Sequence, residues 1–112
     1  MGAPSRLFGT DGIRGRANDY PLTPEIGVAF GRAVATKFGR KGRPLIIGRD
    51  TRISGPMLEE AVTTGATAMG VDVVLLGVVP TPAVAFLTRH LHGCAGVVIS
   101  GGWFAVPGLQ AR

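Results

Sequence analysis

Apolar residues recur at three- and four-residue steps in three stretches of this chain and run almost unbroken in three others, and the two kinds of stretch alternate. Ile26, Phe30, Ala33, Val34 and Phe38 make one stripe at helical spacing. Ahead of it, Thr23 suits an N-cap, Pro24 the first helical position and Glu25 the positive end of the dipole, and Gly39 supplies the stop. Leu58, Ala61, Val62, Gly65, Ala66 and Met69 hold a second 3.6-residue period, from about Pro56 to Met69 with Gly70 closing it, while Glu59, Glu60, Thr63 and Thr64 fall outside. The small residues on that face predict close packing against a sheet, with Met57 and Met69 as core filler. A third helix is expected after Pro80-Thr81-Pro82, with Thr81 as cap and Pro82 as first residue. It carries Val84, Leu87 and Leu91 on one side and ends near Gly93.

Between these stripes lie the strand-like runs. Residues 45–48 are short and β-rich, 71–79 are a nearly continuous aliphatic run typical of a strand covered on both faces, and 96–99 are apolar and uncharged. Helix, strand, helix, strand, helix, strand predicts an α/β fold: three layers, helix/sheet/helix, around a mainly parallel sheet. The loops after Gly48, Val79 and Ile99 then fall along one edge, which puts Arg49, Thr81 and Ser100 on a common rim. In such sheets ligands sit at that rim.

Composition narrows the class. The 112 residues fit one ordinary domain, and 46% hydrophobic against 17% charged residues is a globular balance. No run is long and apolar enough for a membrane span, and the N-terminus has no apolar leader, so a cytoplasmic location with no membrane partner is expected. Cys94, the only cysteine, makes no internal disulfide and reads as a small apolar residue beside a strand. The net charge of +5 comes mostly from arginine, whose fork suits phosphate and carboxylate. These cations are scattered and accompany no nucleic-acid motif, so a phosphorylated small molecule is expected as partner, and nucleic acid is not.

Two loops hold the candidate chemistry. Phe8-Gly9-Thr10-Asp11-Gly12-Ile13-Arg14-Gly15 has three glycines at three-residue steps, in a spacing unlike the dinucleotide fingerprint, and presents Arg14 either to an anion or to solvent from a tight turn. Arg49-Asp50-Thr51-Arg52-Ile53-Ser54-Gly55-Pro56 joins a strand to a helix start. There Arg49 and Arg52 flank Asp50, and two readings stay open: a loop tied by its own charges, or arginines that contact a ligand. His90 and His92, two residues apart, point about 200° apart on a helix and cannot share a metal, so both read as surface residues.

Four collinear motifs carry a resemblance: residues 5–15, residues 48–57 with Gly48-Arg49-Asp50-Thr51-Arg52, residues 77–84 with Pro80-Thr81-Pro82, and Gly96-Val97-Val98-Ile99-Ser100. Up to Ser100 the chain resembles the first domain of the bacterial phosphoglucosamine mutases, in the phosphohexomutase superfamily. The resemblance implies an isomerase that interconverts glucosamine 6-phosphate and glucosamine 1-phosphate on the route to cell-wall amino sugars. It works through a phosphoserine, a Mg²⁺ ion held against it and a bisphosphorylated sugar. Arg14 matches the family arginine beside the phosphoserine. The loop bearing Arg49 and Arg52 matches one near the active centre, so all three are candidate phosphate or substrate residues.

The departure from the family is equally specific. The family continues Ser-Ala-Ser-His-Asn-Pro and phosphorylates the second serine. Here Gly101, Gly102, Trp103, Phe104 and Ala105 follow Ser100, so Gly102 stands at the nucleophile position and has no oxygen to phosphorylate. Ser100 matches the first serine. A two-residue shift along an extended chain misplaces its oxygen by about 6 to 7 Å, so it is no substitute. Residues 1–100 are expected to be an incomplete family domain and 101–112 a tail foreign to it, in which Trp103, Phe104, Val106 and Leu109 follow neither helical nor strand period. The expectation is a first domain that is inactive by itself and binds no Mg²⁺ alone. The alternative is a non-catalytic module that binds a phosphosugar or associates with a full-length mutase.

Overall fold

The computed structural model describes residues 13–14, 23–51, 55–100 and 103–106. In chain order the elements are β1 (Ile13–Arg14), α1 (Pro24–Phe38), β2 (Leu45–Arg49), α2 (Gly55–Ala68), β3 (Val73–Val78), α3 (Thr81–His90), β4 (Ala95–Ser100) and β5 (Trp103–Ala105). The strands form one sheet in the order β1-β5-β4-β2-β3. β2 pairs in parallel with both β3 and β4, whereas β5 runs antiparallel to β4 and to β1. The expected three-layer, mainly parallel architecture is therefore present, with an antiparallel margin on one side.

Local signals account for α1. Thr23 is extended, and its hydroxyl accepts from the Ile26 N–H at 3.3 Å, while Pro24 opens the helix and Gly39 ends it. Phe30 and Val34 are buried, and Ile26 and Phe38 pack partly buried against the same core. On α2, Leu58, Val62 and Ala66 meet that core, which also takes Leu45 and Ile47 from β2 and Ala95, Val97 and Ile99 from β4. The opposite face of the sheet is covered by α3: a Cβ on Gly48 would come within 2.5 Å of Val84 Cγ2, and one on Gly96 would meet Thr88.

Several expectations change. Of the small residues of α2, Ala61 and Gly65 pack against α1, while Ala66 joins the core over the sheet. A Cβ on Gly27 would lie 2.7 Å from Ala61 Cβ, one on Gly31 would strike the Val62 carbonyl, and one on Gly65 the Val28 carbonyl. The two helices thus cross backbone to backbone, a closeness that only residues of this size permit. Met69, placed by periodicity in the core, is 41% exposed, because α2 ends at Ala68 and Gly70 (φ +83°) turns the chain away. The run at 71–79 is not covered on both faces: among the described strands β3 lies at the edge, and Leu75 and Val78 are each 52% exposed. A bulge leaves Leu76 without an opposite number, since Ile47 faces Leu75 and Gly48 faces Gly77.

At α3 the cap moves by one residue. Pro80 occupies the N-cap position with no side-chain hydrogen bond, and Thr81 is already helical. Leu91 lies past the last turn and is exposed, as is Phe86, which stacks on His90 with ring centroids 5.7 Å apart. Both histidines are exposed, as expected. Trp103–Ala105, expected to lack any strand period, pair with both β4 and β1. Three residues are too few for a period to show.

Cys94 is half-buried against the core just before β4. Burial pushes its thiol up, against smaller lowering influences from hydrogen bonding at the Arg40, Cys94 and Ala95 backbone and from the Arg40 charge. The folded thiol holds its proton at pH values where an unfolded one has begun to lose it, so stability falls as pH rises through that window. Alkylation of Cys94 at pH 8 is expected to run at least several-fold slower in the native chain than in urea; equal rates would refute the burial.

Candidate functional site

The three parallel strands end together. Arg49, the last residue of β2, stands opposite Val78 of β3 and Ile99 of β4. Hydrogen bonds continue one step further, from the Asp50 N–H to the Ile99 carbonyl at 3.0 Å and from the Val79 N–H to the Arg49 carbonyl at 3.1 Å. Arg49, Thr81 and Ser100 therefore share the rim that strand order predicts. On its far side Ser100 pairs with Trp103, and Trp103 pairs with Arg14. The backbone of Ile13–Arg14 is thereby brought to the level of Ser100, two strands away, although the sequence places it far off. Arg52 and Gly102 lie outside the described residues.

Among the described residues, the carboxylate that Arg49 pairs with lies ten positions away, on α2. Strand alternation aims its side chain to the face of Leu45 and Ile47, beneath the start of α2, where its Cδ is 3.2 Å from where a Cβ on Gly55 would be. Its Nε faces Glu59 Oε1 at 3.5 Å, and its Nη1 donates to the Asp50 carbonyl at 3.3 Å. The pair is largely enclosed, with 21% of the Arg49 and 14% of the Glu59 side chain exposed. Glu59 falls outside the apolar period of α2, so periodicity alone gives no reason to single it out. A signal existed nonetheless: on a helical wheel it lies about 20° from Ala66, at the flank of the buried arc.

Among the described residues, no group of three or more His, Cys, Asp or Glu side chains could hold a metal ion. No described helix is long and apolar enough to cross a membrane. A basic cleft of about 420 Å³, lined by Arg40, Lys41, Arg43 and Asp72, lies at the other end of the strands, away from the rim.

Comparison with known proteins gives this rim a context. Residues 5–102 match the family model described as phosphoglucomutase/phosphomannomutase, alpha/beta/alpha domain I. The phosphoglucosamine mutase of Syntrophus aciditrophicus is 52% identical over 97 residues, which are 85% of this chain and 22% of that protein. That of Methylococcus capsulatus is 58% identical over 95 residues, 83% of this chain and 21% of that protein. A crystal structure of a phosphoglucomutase/phosphomannomutase family protein from Burkholderia thailandensis superposes with a TM-score of 0.70 at 27% identity, over 89% of this chain and 25% of that one. The chain spans about a fifth of the length of the curated relatives it matches. With the family match covering most of its residues and the layered sheet in place, the chain belongs to the phosphoglucomutase/phosphomannomutase family, to its alpha/beta/alpha domain I.

Proposed function

We propose that this chain carries the first-domain part of a phosphoglucosamine mutase site, on which glucosamine 6-phosphate and glucosamine 1-phosphate are interconverted in the cytoplasm on the way to peptidoglycan precursors. The observation that carries the reading is the shared rim: Arg49 and Ser100 end adjacent parallel strands, and pairing through Trp103 brings the Arg14 backbone level with Ser100. Phosphoryl transfer asks the protein chiefly for positioning and charge neutralisation, and arginines at such an edge suit both.

The 112-residue polypeptide itself is proposed to be inactive. If residues 96–100 continue in the register of the family pattern they resemble, Gly102 stands in place of the phosphorylated serine and Ser100 two residues from the required place. In the family Mg²⁺ is held against the phosphoserine; among the described residues no group of three or more His, Cys, Asp or Glu side chains fits such an ion. Arg14, Arg49 and Arg52 are the proposed phosphate contacts.

Incubating the purified chain with glucosamine 6-phosphate and a catalytic amount of the bisphosphorylated sugar is expected to yield no 1-phosphate and no phosphate on any serine. Isomerisation, or a phosphorylated Ser100, would overturn the inactivity. Titration with glucosamine 6-phosphate is expected to shift the amide signals of Gly9 to Gly15 at millimolar ligand. A flat response there would remove Arg14 from the site.

A further inference from the structure

We propose that Glu59 is the positioning residue for Arg49, and that its carboxylate sets the guanidinium in the orientation in which the rim receives a phosphate group. The proposal rests on the reading of Arg49 as a phosphate contact and deepens it.

The geometry is that of a support. Glu59 projects from the second turn of α2 toward the end of β2, and the two charged groups approach at 3.5 Å in a largely enclosed space. Arg49 Nε and Glu59 Oε2 are both buried with no hydrogen-bond partner, although they belong to one ion pair. Two long charged side chains kept out of water this way lose hydration that a surface pair would keep, so the contact is costly as a mere fastening. A fold needing only to fill this space would do as well with apolar atoms.

A donor inventory shows what the support leaves available. A guanidinium carries five N–H donors in a fixed plane. Here Nε is turned to Glu59 and one Nη1 hydrogen to the Asp50 carbonyl. Among the described residues, the other Nη1 hydrogen and both on Nη2 have no partner, and the side chain stays partly open to solvent. These are the donors a bidentate phosphate contact uses. The Nη1 hydrogen bond and the Glu59 charge 3.5 Å from Nε together favour one plane of the fork before any ligand arrives.

Positioning and simple electrostatics predict opposite outcomes, which makes the proposal testable. If Glu59 acted only as a nearby negative charge, removing it would strengthen phosphate binding at Arg49, since like charges repel. If it positions the fork, removing it weakens binding despite the gain in positive potential. Inorganic phosphate is titrated into the 112-residue chain while the Arg49 side-chain Nε–H signal is followed by NMR, in the wild type, in Glu59→Gln and in Glu59→Asp. Backbone amides of Val62 and Val97 report whether each variant is folded. The wild type is expected to show a protected Nε–H signal that moves with phosphate. Glu59→Gln is expected to lose the protection and bind about ten-fold more weakly, with Glu59→Asp in between because it restores the charge on a shorter arm. Glu59→Gln binding as tightly as the wild type, or more tightly, overturns the positioning role and leaves Arg49 as a phosphate contact intact. A wild-type Arg49 signal indifferent to phosphate overturns both.

Discussion

Gly31→Ala and Gly65→Ala are each expected to destabilise the fold by about 1–3 kcal/mol, toward the upper end of that range. The sign is the informative part. In an exposed helix interior, exchanging glycine for alanine stabilises by about 0.5–1 kcal/mol, because alanine has less backbone freedom to lose. Here each added methyl group meets main-chain atoms: the Val62 carbonyl for Gly31, and the Val28 carbonyl with the Arg32 nitrogen at 2.8 Å for Gly65. A side chain could rotate away, but a carbonyl inside a helix cannot move without shifting the helix. α1 and α2 must then separate, and the core of Phe30, Val34, Leu58 and Val62 that they close over the sheet loosens with them. Urea unfolding followed by circular dichroism should show a lower midpoint for either variant. A raised midpoint would mean that the helices do not cross at these glycines.

Ile47→Ala is expected to cost about 2–5 kcal/mol, a large share of the roughly 5–15 kcal/mol that holds a domain together. Ile47 is fully buried at the centre of the sheet, with β3 on one side, β4 on the other and the α1–α2 layer above. The fitting control is Leu75→Ala, whose side chain lies directly across the β2–β3 ladder but is half exposed at the sheet edge. Its expected cost is well under half as large. Thermal melts of the two variants decide the matter: equal losses would place β3 inside the sheet, as its aliphatic run alone suggests.

That contrast shows where sequence reasoning succeeds and where it stops. Helix α1 is legible nearly residue by residue because its cap, its proline and its stop are local events. The rim is legible too, since strand order in an alternating chain leaves little choice about which ends lie together. Position within the sheet is another matter. Val73–Val78 reads as interior because aliphatic content reports the residues a strand carries and not the number of neighbours it acquires. Met69 fails for a related reason: it sits in the middle of the buried arc of the helical wheel, yet the helix stops one residue short of it. The partner of Arg49 was hidden because a tertiary ion pair has no spacing rule. The candidate partner beside it in sequence, Asp50, lends Arg49 its carbonyl oxygen instead.

The link between Arg14 and Ser100 is a relay of single contacts. In the described sheet β1 touches only β5, and β5 reaches the parallel strands only through β4. The three residues of β5 begin immediately after the last position of the family match. Whatever loosens Trp103–Ala105 thus also releases Ile13–Arg14 from the sheet, far back in the chain, without altering a single atom of them.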